Sequence, residues 1–192
     1  MSAAQPLRAF LRAMTLLATE EADARRQQAA GAELLRALVA VPGWLPHPFN
    51  EGGPGFRQQI LYGDPLERFS LIGFVWGTEE SVTPVHDHGV WGAVGVLAGE
   101  EVSVEMLPDP AGGPMREGRR DRLRAGEVML LGLDAYDIHK VENARPGEAG
   151  IAIHLYGGNI GAIDRRMFDP PTSAATLVKT GYDNPTLPNP WV

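Results

Sequence analysis

The 192-residue chain contains no cysteine. That excludes disulfides, thiolate metal ligands and a cysteine nucleophile together, so any metal must be held by nitrogen or oxygen. Nor is there an apolar run of the length needed for a signal h-region or a membrane span, and Arg8, Arg12, Glu20, Glu21 and Asp23 stud the first stretch. A soluble cytoplasmic protein with no membrane association is the expectation. Positive charge is in deficit too: the formal net charge of -7 disfavours nucleic acid and anionic membranes as partners. Arg116, Arg119, Arg120, Arg122 and Arg124 form a local basic excess after Gly-Pro turn residues, and a solvated hairpin accounts for them. Internal repeats and low-complexity segments are absent, and the residues specify no oligomeric state.

Hydrophobic content of 44% against 21% charged residues is ordinary globular usage, and the length suits one domain with a core of its own. Leu7, Phe10, Leu11, Met14 and Leu17 recur at helical spacing, as do Leu34, Leu35, Leu38 and Val39, which predicts two helices over 6–20 and 22–40. Pro42, Gly43, Pro46 and Pro48 stop helix propagation, after which short β-rich runs are divided by glycine and proline. Strands are expected over 56–61, 69–76, 83–88, 92–98, 102–107, 121–123, 128–131, 137–143 and 150–156. Such a series favours a sandwich or jelly-roll barrel. The expected organisation is a helical segment over 1–45 docked on a barrel over 46–192, with an extended proline-rich tail after Asp169 that wraps the barrel.

Within this pattern, His86-Asp87-His88 lies in a strand-like run and His139 opens a later one. Alternate residues of a strand face the same side, so His86 and His88 point together while Asp87 faces away. Three imidazoles so placed are candidate ligands for one metal ion, and imidazole alone does not choose among iron, zinc, copper and nickel. A site of three neutral histidines leaves a divalent charge uncompensated, which welcomes an anionic bidentate ligand such as a thiol acid. Ala152, His154 and Tyr156 alternate along another strand and should share one interior face, with Tyr156 as hydrogen-bond donor and His154 orienting it. Trp76 and Trp91 are read as core, His47 as a loop residue, and Arg57 and Arg166 as surface residues.

The series Gly77, Pro84-Val-His86-Asp-His88, Gly99 and His139-x-x-x-Asn143 resembles the two motifs of the cupin superfamily. Gly92 stands where many cupins carry a metal-binding glutamate, and this departure points to the thiol dioxygenases. With the 69–77 run, the 83–92 block, 137–143 and 153–159, the chain resembles a bacterial member of the cysteine dioxygenase family over roughly 55–170. The resemblance implies an all-β cupin, a double-stranded β-helix with N-terminal α-helices. It also implies a mononuclear Fe(2+) centre held by His86, His88 and His139, with a small thiol and O2 as substrates and a sulfinic acid as product. His154 and Tyr156 match the outer-sphere pair beside the oxygen site.

Gln59 falls where the animal enzymes have an arginine that grips the substrate carboxylate, and a one-residue shift would give that place to Gln58. This is similar to the glutamine-type subgroup, whose preferred substrate is 3-mercaptopropionate or a related thiol acid, so 3-mercaptopropionate is the expected substrate of this chain, with cysteine next. Arg165 matches a subgroup arginine that would serve an anionic substrate from the pocket, the alternative being a surface position. Gly92 also replaces the cysteine of the animal Cys-Tyr cross-link, implying an unmodified Tyr156, and Ala152 replaces the serine of a Ser-His-Tyr relay. Two other readings of the residues stay open: a zinc cupin acting as hydrolase or isomerase, and a metal-containing cupin that only binds a small ligand.

Overall fold

The computed structural model describes residues 4–79, 81–133 and 137–190. Two helices open the chain, α1 over Gln5–Glu20 and α2 over Ala24–Val39. Pro6 at the start of α1 supplies a preset helical φ where its missing N–H is not needed. Asp23 caps α2 by accepting the Arg26 backbone N–H at 3.0 Å. Their apolar stripes, carried by Leu7, Phe10, Met14, Leu35 and Leu38, close on Leu71, Ala93, Ile153 and Leu155 of the body beneath.

That body has eleven strands: β1 Phe56–Gly63, β2 Ser70–Trp76, β3 Val85–His86, β4 Gly92–Ala98, β5 Glu100–Leu107, β6 Arg116–Arg124, β7 Val128–Leu131, β8 His139–Asn143, β9 Gly150–Tyr156, β10 Arg165–Asp169 and β11 Ala174–Val178. They form two antiparallel sheets of order β1-β2-β9-β4-β7 and β11-β10-β3-β8-β5-β6. This is the jelly-roll barrel with N-terminal helices that a cupin requires. The five-stranded sheet is buried on both faces, which is why β2 reads as an unbroken buried run. One set of alternating residues meets the helices, while Ile72, Ala152, His154 and Tyr156 belong to the other.

Three expected strands, over 92–98, 128–131 and 150–156, match β4, β7 and β9, whereas the run containing His86 contracts to two residues. The tail after Asp169 is not simply extended: β11 pairs with β10, which sequence reading had not anticipated. Farther on, the chain lies along β1 as a strap. Asp183 exchanges hydrogen bonds with the Gln58 backbone at 2.6 and 2.9 Å, and Asn184 does the same with Ile60 at 2.7 and 2.9 Å. An otherwise open sheet edge is thereby covered.

Candidate metal centre

His86 ends β3, His88 follows two residues on, and His139 begins β8 directly opposite His86 in the ladder. Antiparallel pairing thus brings residues 53 positions apart onto one spot. One ligand atom from each of the three lies within 4.8 Å of the others, and the ring centroids are 4.8–5.1 Å apart.

Each ring is held by its Nδ1. That of His86 meets the Pro84 carbonyl at 2.8 Å, that of His88 the Asp137 carboxylate at 2.8 Å, and that of His139 the Ser103 hydroxyl at 2.7 Å. Tethering Nδ1 leaves Nε2 as the ligating atom, the usual arrangement in metal-bound histidine. His88 Nε2 is buried without a hydrogen-bond partner, which suits an atom that ligates a cation. Burial holds His86 down to about 4 and keeps His88 and His139 well below the ordinary imidazole range, so all three are neutral donors at neutral pH. Asp87 faces away as expected, accepting the Arg166 backbone N–H at 2.8 Å and pairing with its guanidinium.

His86 and His139 open into a cavity of about 230 Å³ between the sheets. His154 and Tyr156 line it, and the Tyr156 hydroxyl meets His154 Nδ1 at 2.8 Å. The Tyr156 ring stacks on His88 with centroids 5.4 Å apart. Gly92 makes room for this: a Cβ there would stand 2.9 Å from two Tyr156 ring carbons. Burial pushes the Tyr156 phenol above its ordinary range and His154 down to about 3. Ala152 faces inward on the same strand and contributes only apolar surface.

Arg165, the first residue of β10, is 6% exposed and forms part of the cavity wall rather than the outer surface. Its Nη2 donates to Thr180 Oγ1 at 3.0 Å and lies 3.5 Å from Gln58 Oε1, while its Nε has no partner. The glutamine on the cavity is Gln58 and not Gln59. Phe56 and Gln58 point inward on β1, and Gln59, one residue out of phase, falls on the opposite side of the strand. Gln58 Nε2 donates to Thr180 Oγ1 at 3.1 Å and to the Gly181 carbonyl at 2.9 Å, so the strap completes this wall.

Glu101 escaped the sequence reading. It lines the cavity from β5 at 3% exposure, and burial raises its carboxyl to about 7 although Trp76 Nε1 donates to it at 3.2 Å. The signal was there in alternation: Glu101 and Ser103 share a strand face. The strand expected over 102–107 begins one residue too late to include it, whereas β5 starts at Glu100. Trp91 packs under the helices, away from the cavity, and His47 is an exposed loop residue beside Glu51.

No family model matches the chain. Among solved structures it is similar to oxalate oxidase in complex with glycolate, at 18% identity over 58% of this chain and 58% of that one, with a TM-score of 0.44. It is also similar to KdgF from Halomonas sp., at 18% identity over 57% of this chain and 86% of that one, TM-score 0.40. A cupin superfamily protein from Desulfitobacterium hafniense aligns at 12% identity over 57% of this chain and 84% of that one, TM-score 0.41. The chain thus spans little more than half of the oxalate oxidase it matches. Fold class rests on the strand order itself, and within that barrel three histidines that could hold a metal ion stand beside a cavity.

Proposed function

We propose that the protein is an Fe(2+)-dependent thiol dioxygenase that converts a small carboxylated thiol to its sulfinate. In balance, R–S⁻ + O2 gives R–SO2⁻, with four electrons leaving sulfur and both oxygen atoms retained. The observation that carries the reading is a cluster of three tethered neutral histidines whose His86 and His139 line one cavity with a buried arginine and a tyrosine. His86, His88 and His139 would hold the metal. Ferrous iron, when bound, supplies the one-electron chemistry that triplet O2 needs to react with a closed-shell thiolate.

The remaining work falls to the chain. Arg165 faces the cavity with an unpartnered buried Nε, and a substrate carboxylate is the anion that would satisfy it. Gln58 and Thr180 fix the guanidinium from the side and add polarity without charge. Tyr156 would donate a hydrogen bond to the oxygen accumulating on sulfur, with His154 holding the phenol in line. Phe56, Phe74 and Val141 keep the opposite side apolar and limit bulk water. 3-Mercaptopropionate, with thiol and carboxylate and no further group, is the preferred substrate, and cysteine is next.

The test is anaerobic loading with ferrous iron, followed by oxygen uptake against a thiol panel and mass-spectrometric detection of sulfinate. One O2 consumed per sulfinate formed is the expected result. A protein that takes up iron, consumes no oxygen with any thiol, and retains zinc through purification would instead be a zinc cupin.

A further inference from the structure

Two polar groups in the cavity lack a role so far. His154 Nε2 is buried with no hydrogen-bond partner, and Ala152, its inward neighbour on β9, has no hydroxyl to offer. Across the cavity, Glu101 brings a carboxyl whose hydrogen bond, among the described residues, comes from Trp76 Nε1 to Oε2. Trp76 touches it, and the apolar Phe74 and Val141 line the same cavity. A carboxyl in so apolar a corner costs free energy unless something further engages it. The two groups line the same space, and the Glu101 charge is felt at Tyr156.

We propose that Glu101 is the far end of a polar chain that runs through a cavity water to His154 Nε2 and on to the Tyr156 hydroxyl, making it a positioning residue for Tyr156. The cavity has room for a water beside a small ligand, and the two side chains give that water polar partners on both sides. The direction of the chain follows from proton counting. With its carboxyl raised to about 7, Glu101 is substantially neutral below that pH and donates. The water then donates to Nε2, so the imidazole proton sits on Nδ1 and is given to the Tyr156 oxygen. The phenol proton is thereby freed to point at the reacting sulfur and oxygen. Without Glu101 the water loses the partner that holds it at Nε2, and the ring turns to the opposite tautomer, in which Tyr156 donates to His154 and its proton faces away from the site.

The catalytic part of this inference rests on the proposed dioxygenase reading, but the tautomer part does not. Two apolar variants, Glu101→Met and Glu101→Leu, remove the donor, and Glu101→Gln keeps one in its amide. In metal-free ¹⁵N-labelled protein at slightly acidic pH, long-range ¹H–¹⁵N correlation reads which His154 nitrogen is protonated. Nδ1 is expected in wild type and Glu101→Gln, and Nε2 in whichever apolar variant retains the wild-type fold by circular dichroism. In the iron-loaded protein, the apolar variants should lose kcat roughly 10- to 100-fold at unchanged KM and metal content, with Glu101→Gln within about threefold of wild type. An unchanged His154 tautomer in all variants overturns the proposal, as does a Gln variant as impaired as the apolar ones. If no thiol is oxidised by wild type, the dioxygenase reading fails and the tautomer measurement still decides the chain.

Discussion

Strands β5 and β8 carry two chemistries on alternate residues. Outward, Glu100, Lys140 and Glu142 join Glu117, Arg120, Arg122 and Arg145 in a network with contacts such as Arg120–Glu142 at 2.7 Å and Lys140–Glu117 at 2.8 Å. Inward, Glu101, Ser103 and His139 face the cavity. The residue types overlap, and solvent separates their behaviour. Water screens the outer ions and leaves each pair worth little, while burial holds His139 neutral and lifts Glu101. The basic run over 116–124 is accounted for by this outer network, as a solvated hairpin should be.

The sharpest way to test the contrast is from the inside. His139→Ala removes one of three donors, and metal content should fall from about one ion per chain to near none, with oxygen uptake at background. Elemental analysis on folded protein measures the first. Arg165→Met comes next. Losing a charge-assisted pair worth about 1.5–3 kcal/mol should raise KM for a carboxylated thiol about 10- to 100-fold, while a thiol lacking the carboxylate is unaffected.

A third prediction turns on sign. Glu101 titrates at about 7 when folded against 4.5 unfolded, so its contribution is fully present below 4.5 and is lost as pH rises through 7. Glu101→Gln removes the titration and can still accept from Trp76. In metal-free protein it should therefore be more stable than wild type at pH 8, on the order of 2–3 kcal/mol, with the gap closing toward pH 4.5. Paired melts at the two pH values measure it, and a gap that widens on acidification would contradict it. The smallest effect belongs outside. Arg120→Ala should cost less than about 1 kcal/mol, a shift within about 2–4 °C in Tm, and the loss should shrink further with added salt.

Much of the site was legible because period-two alternation needs no tertiary knowledge. It placed His86 with His88, set Asp87 against them, and put His154 beside Tyr156. Alternation fails where phase is ambiguous. Gln58 and Gln59 are identical residues in adjacent positions, and only the pairing of β1 with β2 and the strap along its edge selects Gln58. Glu101 fell between the strands expected over 92–98 and 102–107 because β5 begins two residues earlier, and Arg165 could be placed only once β10 joined the second sheet. β11 escaped for a related reason: Ala174–Val178 is largely exposed, so it has no apolar alternation to show, and its pairing with β10 is a long-range fact.

The strap has a practical corollary. Thr180, Gly181 and Asp183 stand on the cavity, yet every strand of both sheets is complete by Val178. Cutting the chain back to that point would bare the β1 edge, remove Tyr182 from its packing against Ile72 and Ile160, and open the cavity on one side, with Arg165 relieved of its Thr180 brace. One short segment therefore seals a sheet edge and walls the candidate site, so its loss would be felt in stability and in ligand binding together.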